Sequence, residues 1–396
     1  MDRQIGKISV LLVVGLLCLM TANAIKASGM YQADFRIYYR AAESWKRGES
    51  PYRISTPRLD GTLYTRESGY IYPPYASPLF APFLHWEMPR AEQYYLALHV
   101  LAAALLLWVM RQFLGTLGDT WFVVFALLAF NGSLIRDIEA GNIAIFEQLL
   151  IWLGFWAFLR GRFAWFCLLV LAGSAMKFLP ATLLVVLPMR RLRDRRAWIA
   201  AASVVAGAAI CLGAAWIRQP ILYAEFLHRA ASMSSSDERG QINPALFPLV
   251  RDVFDILRQL GWKTPPLVAQ LFYAAAAVAI ICLSFRAWRR AQSNHHADLD
   301  RLAIVLACLA FALVMPRMKE YTYVLLLAPG YYIIRTSPSI GAVLPLLFLL
   351  AIAPVVPTLA AGFGTATELF HDYYSYGLAL LLWIILCRRV GAAPAA

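Results

Sequence analysis

Apolar runs of membrane-crossing length, separated by short clusters of charge, recur along the whole 396-residue chain. A helix needs about 20 apolar residues to cross roughly 30 Å of hydrocarbon, so each run is a candidate span. The runs fall near residues 8–27, 92–110, 118–135, 143–159, 163–175, 178–189, 197–216, 265–285, 302–315, 321–335, 339–358 and 373–387. Composition agrees: 61% of residues are hydrophobic and 15% charged, where soluble domains hold about 45–50% and 25%. The pattern predicts an all-α polytopic membrane protein, a single integral domain over residues 1–396 with about twelve transmembrane segments, some short or re-entrant.

The runs 163–175 and 178–189 are too short to span alone, and Lys177 and Pro180 lie at their junction. The cluster that follows, Arg190, Arg191, Arg193, Arg195 and Arg196, belongs on the cytoplasmic side with Arg160 and Arg162. The chain between must go in and return, which predicts a pair of half-helices or strongly tilted helices with Lys177 at the outer tip. An even count then places both termini in the cytoplasm. On this topology the net charge of +13 divides unevenly: the cytoplasmic segments hold 17 basic and 5 acidic residues, and the outer loops stay near neutral at +1. The excess charge therefore orients the chain in a cell (inner) membrane. It does not advertise nucleic acid, which would need a solvated basic face. Arg3, Lys7 and Ala22-Asn23-Ala24 also fit a cleavable signal over residues 1–24. The six cysteines all fall in apolar runs without a CxxC spacing and read as packing residues.

The unusual residues concentrate in the expected outer loops, 28–90 and 217–263. A loop of about sixty residues is uncommon unless it has work to do. It carries Asp34, Tyr38, Tyr39, the turn Gly48-Glu49-Ser50-Pro51-Tyr52 and the run Gly69-Tyr70-Ile71-Tyr72-Pro73-Pro74-Tyr75. Residues 34–47 draw as an amphipathic helix with Phe35, Tyr38, Ala42 and Trp45 on one stripe, suited to lying along the membrane surface. Asp34 is either a base facing a substrate whose tail is in lipid or the cap of that helix. Arg136, Asp137, Glu139, Gly141 and Asn142 form a second cluster, either a site or an ion pair ending in a glycine turn. Lys177 is a third, with snorkelling as its plain alternative. Pro316-Arg317-Met318-Lys319-Glu320-Tyr321 is the fourth. The polar stretch Ser232 to Asn243 reads as a flexible cover. Asp298-Leu299-Asp300 reads as an acidic helix start and His295-His296 as a solvated tract, so no metal site is expected.

Carboxylates beside cations suit group transfer with a phosphate leaving group. A base takes the proton of an acceptor hydroxyl, and Lys and Arg neutralise the departing phosphate. Outside the cytoplasm nucleotide donors are scarce, which points to a lipid-phosphate donor. The rival reading, a lipid or glycolipid transporter or flippase, expects charged groups at mid-membrane on several spans, often with internal repeats.

Asp34 soon after the first run, then Tyr39, Gly48, Pro51-Tyr52, Tyr72-Pro73-Pro74, Gly141-Asn142 and Lys177 ahead of an Arg-rich turn, resembles glycosyltransferase family 87. The resemblance runs from about residue 30 to 200 and extends to about residue 335. It implies a GT-C-like bundle and inverting transfer of a hexosyl group, most simply mannosyl, from a polyprenyl-phosphate sugar to a lipid-linked or cell-envelope glycan, with no cofactor. It implies Asp34 as general base and matches Lys177 to the family's Lys before Pro, while the outward clustering of charges itself puts Lys177, Arg317 and Lys319 near the donor phosphate. Tyr38, Tyr39, Tyr72, Arg136, Asp137, Glu139, Asn142, Glu320 and Tyr321 are the expected substrate contacts. The chain departs from the family at Ala140-Gly141-Asn142, where many members have Gly-Gln-Asn, and at Arg317 to Glu320, where many have His.

Overall fold

The computed structural model describes residues 32–53, 69–190, 195–234, 238–294, 296, 298–337 and 365–391, and every regular element among them is helical. In chain order the helices are α1 Ala33–Lys46, α2 Met88–Leu114, α3 Thr120–Ala140, α4 Ala144–Leu159, α5 Phe163–Ser174, α6 Arg195–Arg218 and α7 Pro220–Ser234. They continue as α8 Leu246–Gln259, α9 Pro266–Ser293, α10 Leu299–Val314, α11 Leu327–Arg335, α12 Thr365–Asp372 and α13 Tyr374–Gly391. Tighter 3₁₀ stretches precede or join several of them, chiefly Pro74–His85, Leu179–Val185 and Glu320–Leu326, and the second of these runs into a single α-helical turn, Val186–Met189. The expected runs 8–27 and 339–358, the signal-like residues 1–24, Arg191, Arg193 and His295 lie outside the described residues.

Four helices among the described residues are long and apolar enough to cross a bilayer: Met88–Leu117, Thr120–Ala140, Trp198–Arg218 and Pro266–Ser293. The run 143–159 folds as 16 helical residues and 163–175 as 12, so the twelve apolar runs do not all become full-length helices. Apolar faces are left open along α6 and α9, where Ile210, Ile217, Leu267 and Leu271 are all more than 60% exposed. Water would penalise such a surface, whereas lipid covers it.

The second of these, α3, is not one continuous helix. Ala129 is extended, and Phe130, Asn131 and Gly132 all take left-handed φ values of 53°, 57° and 66°. Glycine and asparagine tolerate that region, but Phe130 does so against steric cost. Asn131 is held there through a hydrogen bond from its side chain to Glu320, and Phe130 stacks on Tyr323 at 5.7 Å.

The chain forms two compact units. The first takes the described residues of 1–109, 134–181 and 194–236, and the second those of 110–133, 182–193 and 237–396. In the first, α1 packs on the Pro74–His85 stretch and α2 through an aromatic core. Phe35 stacks on Tyr95 at 4.3 Å, and Tyr38 on Phe80 at 4.6 Å. The expected stripe on α1 is thus covered by protein, with Phe35, Tyr38 and Ala42 buried and Trp45 left exposed. α1 is therefore not an interfacial helix offering that stripe to lipid, because its apolar face is already taken. α4 and α5 pack closely, and Gly173 permits it: a Cβ there would stand 2.9 Å from the Glu147 carbonyl oxygen. In the second unit α10 is buried along nearly its whole length. There Asp298 takes the N-cap position of α10 and pairs with Arg301 at 2.9 Å, while Asp300 pairs with Arg190 at 3.3 Å, as an acidic helix start should.

Candidate functional site

Asp34 lies inside the first turn of α1. The cap position belongs to Gln32, which has a left-handed φ of 61° and no side-chain cap bond. The Gln32 N–H donates to the Glu139 carbonyl at 2.8 Å, which ties the start of α1 to the end of α3. Gly141 makes the approach feasible. Its φ is +63°, and a Cβ on it would meet Gln32 Cβ at 2.8 Å. A glycine is needed here for both reasons, and the residue after it is thereby delivered beside Asp34.

That residue, Asn142, is buried and uses its amide fully. Nδ2 donates to Asp34 Oδ2 at 2.6 Å and to the Tyr72 hydroxyl at 3.2 Å. Oδ1 accepts from the Ala144 N–H at 3.0 Å and from Lys177 Nζ at 3.3 Å. Two donors and two acceptor sites are the whole capacity of an amide. A backbone donor on one side and a carboxylate on the other fix which way it points. Tyr38 completes the surround: its hydroxyl donates to the Tyr72 oxygen at 2.8 Å and accepts from the Ile143 N–H at 3.3 Å. Burial pushes both phenols above their ordinary range, with Lys177 pulling Tyr72 the other way. Both stay protonated donors at neutral pH.

Lys177 sits in the turn after α5, where the Ser174 carbonyl accepts its N–H at 3.1 Å, and Phe178 takes a left-handed φ of 55°. Its ammonium lies 3.4 Å from Glu147 Oε2; the Lys177 side chain is 25% exposed and that of Glu147 only 1%. The counter-ion is thus on the inner side and the opening on the outer. Neither Glu147 nor His99 stood out in the sequence, since each falls inside an apolar run. His99 is fully buried on α2, its Nε2 3.8 Å from Asp137 Oδ2, and its ring lies flat against Phe146 at 5.5 Å. Ionisable groups in such runs are costly and mark sites by default, which was the signal available for both. Asp137 also accepts the Gly141 N–H at 3.0 Å through its carbonyl, so it anchors the turn that presents Asn142.

Of the expected residues, Asp34, Tyr38, Tyr72, Asn142 and Lys177 thus form one bonded network. Asp137 supports it from the interior, and Glu139 contributes only its carbonyl. Arg136 is exposed on the last turn of α3, and the Tyr39 hydroxyl donates instead to the Trp86 carbonyl at 2.9 Å. In the second unit Arg317 and Lys319 meet on a single carboxylate oxygen, Glu238 Oε2, at 2.6 and 3.1 Å. Glu320 is bonded to Asn131, and Tyr321 beside it is partly buried. The stretch expected to be a flexible cover is anchored where it is described. Asn243 Oδ1 accepts the Met318 N–H at 2.8 Å, and Arg239 pairs with Asp252 at 2.8 Å and with Asp255. Residues 235–237 of that stretch lie outside the described residues.

No curated protein matches the chain. A family model does, that of glycosyltransferase family 87, over residues 70–316. The matched region contains Tyr72, Asn142, Glu147 and Lys177, and Asp34 precedes it while bonding into it through Asn142. A match over more than half the chain settles its kinship: this helical membrane protein belongs to glycosyltransferase family 87, and is a glycosyltransferase.

Proposed function

We propose that the protein transfers a hexosyl group, mannosyl by resemblance, from a polyprenyl-phosphate sugar to a hydroxyl of a lipid-linked or cell-envelope glycan, at the outer face of the inner membrane. The observation that carries this reading is the Asn142 amide, which joins a carboxylate, Asp34, to an ammonium, Lys177, at 2.6 and 3.3 Å. Asp34 takes the proton of the acceptor hydroxyl as its oxygen attacks the anomeric carbon. The bond from that carbon to the phosphate oxygen breaks on the opposite face, its electron pair passing to the phosphate. One displacement inverts the anomeric centre. Lys177 neutralises the charge that grows on the leaving phosphate, a task for which it is held ready by Glu147. Tyr72 and Tyr38 supply hydroxyls to the sugar. No cofactor is required by this chemistry. Family membership favours transfer over the transport alternative.

Asp34→Asn keeps the side chain's shape and removes the base. Membranes carrying it, supplied with radiolabelled polyprenyl-phosphate sugar, should transfer about 10²- to 10⁴-fold more slowly than wild type. Transfer at the wild-type rate would overturn the assignment.

A further inference from the structure

Glu92, Tyr95 and His99 follow one another along α2 at helical spacing and so share one face of it. Each meets a different part of the first unit's network. Glu92 pairs with Arg36 on α1, just past Asp34. Tyr95 stacks at 4.3 Å on Phe35, the residue next to Asp34. His99 reaches the other side of the site: its Nε2 lies 3.8 Å from Asp137 Oδ2 near the end of α3, and its ring lies against Phe146 of α4 at 5.5 Å. A single helix face thus touches the helix that carries the base and both helices that flank the turn bearing Asn142.

His99 and Asp137 are both fully buried, at 0% exposed, yet neither imidazole nitrogen and neither Asp137 carboxylate oxygen makes a hydrogen bond. A carboxylate in an apolar interior is costly until a donor meets it. His99 is in ionic contact with it but beyond hydrogen-bond distance, as catalytic-site contacts often are before substrate binds. What Asp137 holds gives that contact its weight. Its carbonyl accepts the Gly141 N–H at 3.0 Å and the Asn142 N–H at 3.4 Å. Any shift of Asp137 therefore moves Asn142, whose Nδ2 meets Asp34 at 2.6 Å.

We infer that His99 is a positioning residue for the transfer: its Nε2–H, directed at the Asp137 carboxylate, steadies the turn that holds the Asn142 amide against Asp34. It touches no substrate and acts through Asp137 and Asn142. This role rests on the proposed one of Asp34 as base. The imidazole has two separable duties here. Its ring fills the space between Tyr95 and Phe146, at 5.4 and 5.5 Å, and its N–H serves Asp137; only the second duty reaches the base.

Two substitutions tell the duties apart. His99→Phe keeps a ring and removes the donor, whereas His99→Gln gives up the ring and keeps an N–H close to where Nε2 stands. Full-length protein in its membranes is supplied with radiolabelled polyprenyl-phosphate mannose. His99→Phe should lower kcat about tenfold and leave KM for the donor within about twofold of wild type, because a misplaced base slows the chemical step and not donor binding. His99→Gln should keep most of the wild-type kcat. A residue that only fills space gives the reverse order, so Gln no better than Phe, or Phe at the wild-type kcat, overturns the assignment. In an Asp137→Leu background, which also serves if His99→Phe alone fails to fold, the advantage of Gln should vanish because the group it serves is gone. An advantage that survives there means that the donor acts elsewhere, and overturns the assignment as well. Hydrogen exchange of purified protein in detergent needs no assumption about the base: the peptide spanning residues 137–146 should exchange faster in His99→Phe than in His99→Gln, and equal exchange overturns the role of His99 whatever Asp34→Asn shows. Transfer by Asp34→Asn at the wild-type rate would remove the base assignment, and exchange and coupling would still judge His99.

Discussion

Asn142 is the residue on which the first unit's network turns, and its chemistry predicts a ranking of substitutions. Asn142→Asp puts a second carboxylate about where an amide N–H now meets Asp34 at 2.6 Å. Like charges at that separation force one to hold a proton or to move away. Asn142→Ala removes the link between Asp34 and Lys177 and leaves the Lys177–Glu147 pair in place. Both should lower transfer, Asp by about 10³-fold and Ala by about 10- to 100-fold, the larger loss lying with the change that disables the base itself. Steady-state assay of both variants with a fixed donor checks the order; Ala slower than Asp would contradict it. Much of this network was legible in the sequence, because Asp34 and Tyr72 lie in the long polar stretch 28–90 and Asn142 and Lys177 at the junctions of apolar runs. Glu147 was not, since a carboxylate in the first turn of an apolar helix looks like a favourable dipole partner until the turn after α5 brings Lys177 to 3.4 Å from it.

At the scale of elements, the site depends on how closely α4 and α5 approach. Gly173 sets that distance: an added Cβ would lie 2.9 Å from the Glu147 carbonyl and 3.1 Å from the Ile151 side chain. Gly173→Leu should therefore push the turn carrying Lys177 away from Glu147 and Asn142. Transfer should fall at least tenfold, and the thermal midpoint in detergent by several degrees. Gly207 on α6 is the control, with nothing within 4 Å of where its Cβ would be; Gly207→Leu should change neither quantity appreciably. Equal losses from both variants would show that close approach is not what Gly173 provides. Many helix positions were readable from the continuous apolar runs, because burial and lipid both select for apolar residues. The break in α3 was harder. Asn131-Gly132 is a turn signal, yet it sits within an apolar run, where it passes for two small residues in a continuous helix. Contacts nearly two hundred residues away in sequence, Asn131 with Glu320 and Phe130 with Tyr323, hold the left-handed turn there.

For the whole molecule, the uneven placement of charge predicts how the chain lies in the membrane. If the 17 basic residues assigned to the cytoplasmic segments hold them inside, the helix bearing Asp34 must face outward, where a lipid-phosphate sugar is available and nucleotide sugars are not. Two exposed positions test this without touching the networks described above: Lys46 at the end of α1 and Arg290 near the end of α9. Cysteine at either is reached by a membrane-impermeant maleimide only from its own side. The native cysteines fall in apolar runs, where a charged reagent reacts poorly, so background labelling should be low. In intact spheroplasts Lys46→Cys should label and Arg290→Cys should label only after permeabilisation. The opposite pattern would place Asp34 in the cytoplasm, and the donor would then have to be sought among nucleotide sugars. Labelling of both in intact cells would reject the odd number of crossings between them, and with it the reading of 163–189 as an excursion that returns to the side it left.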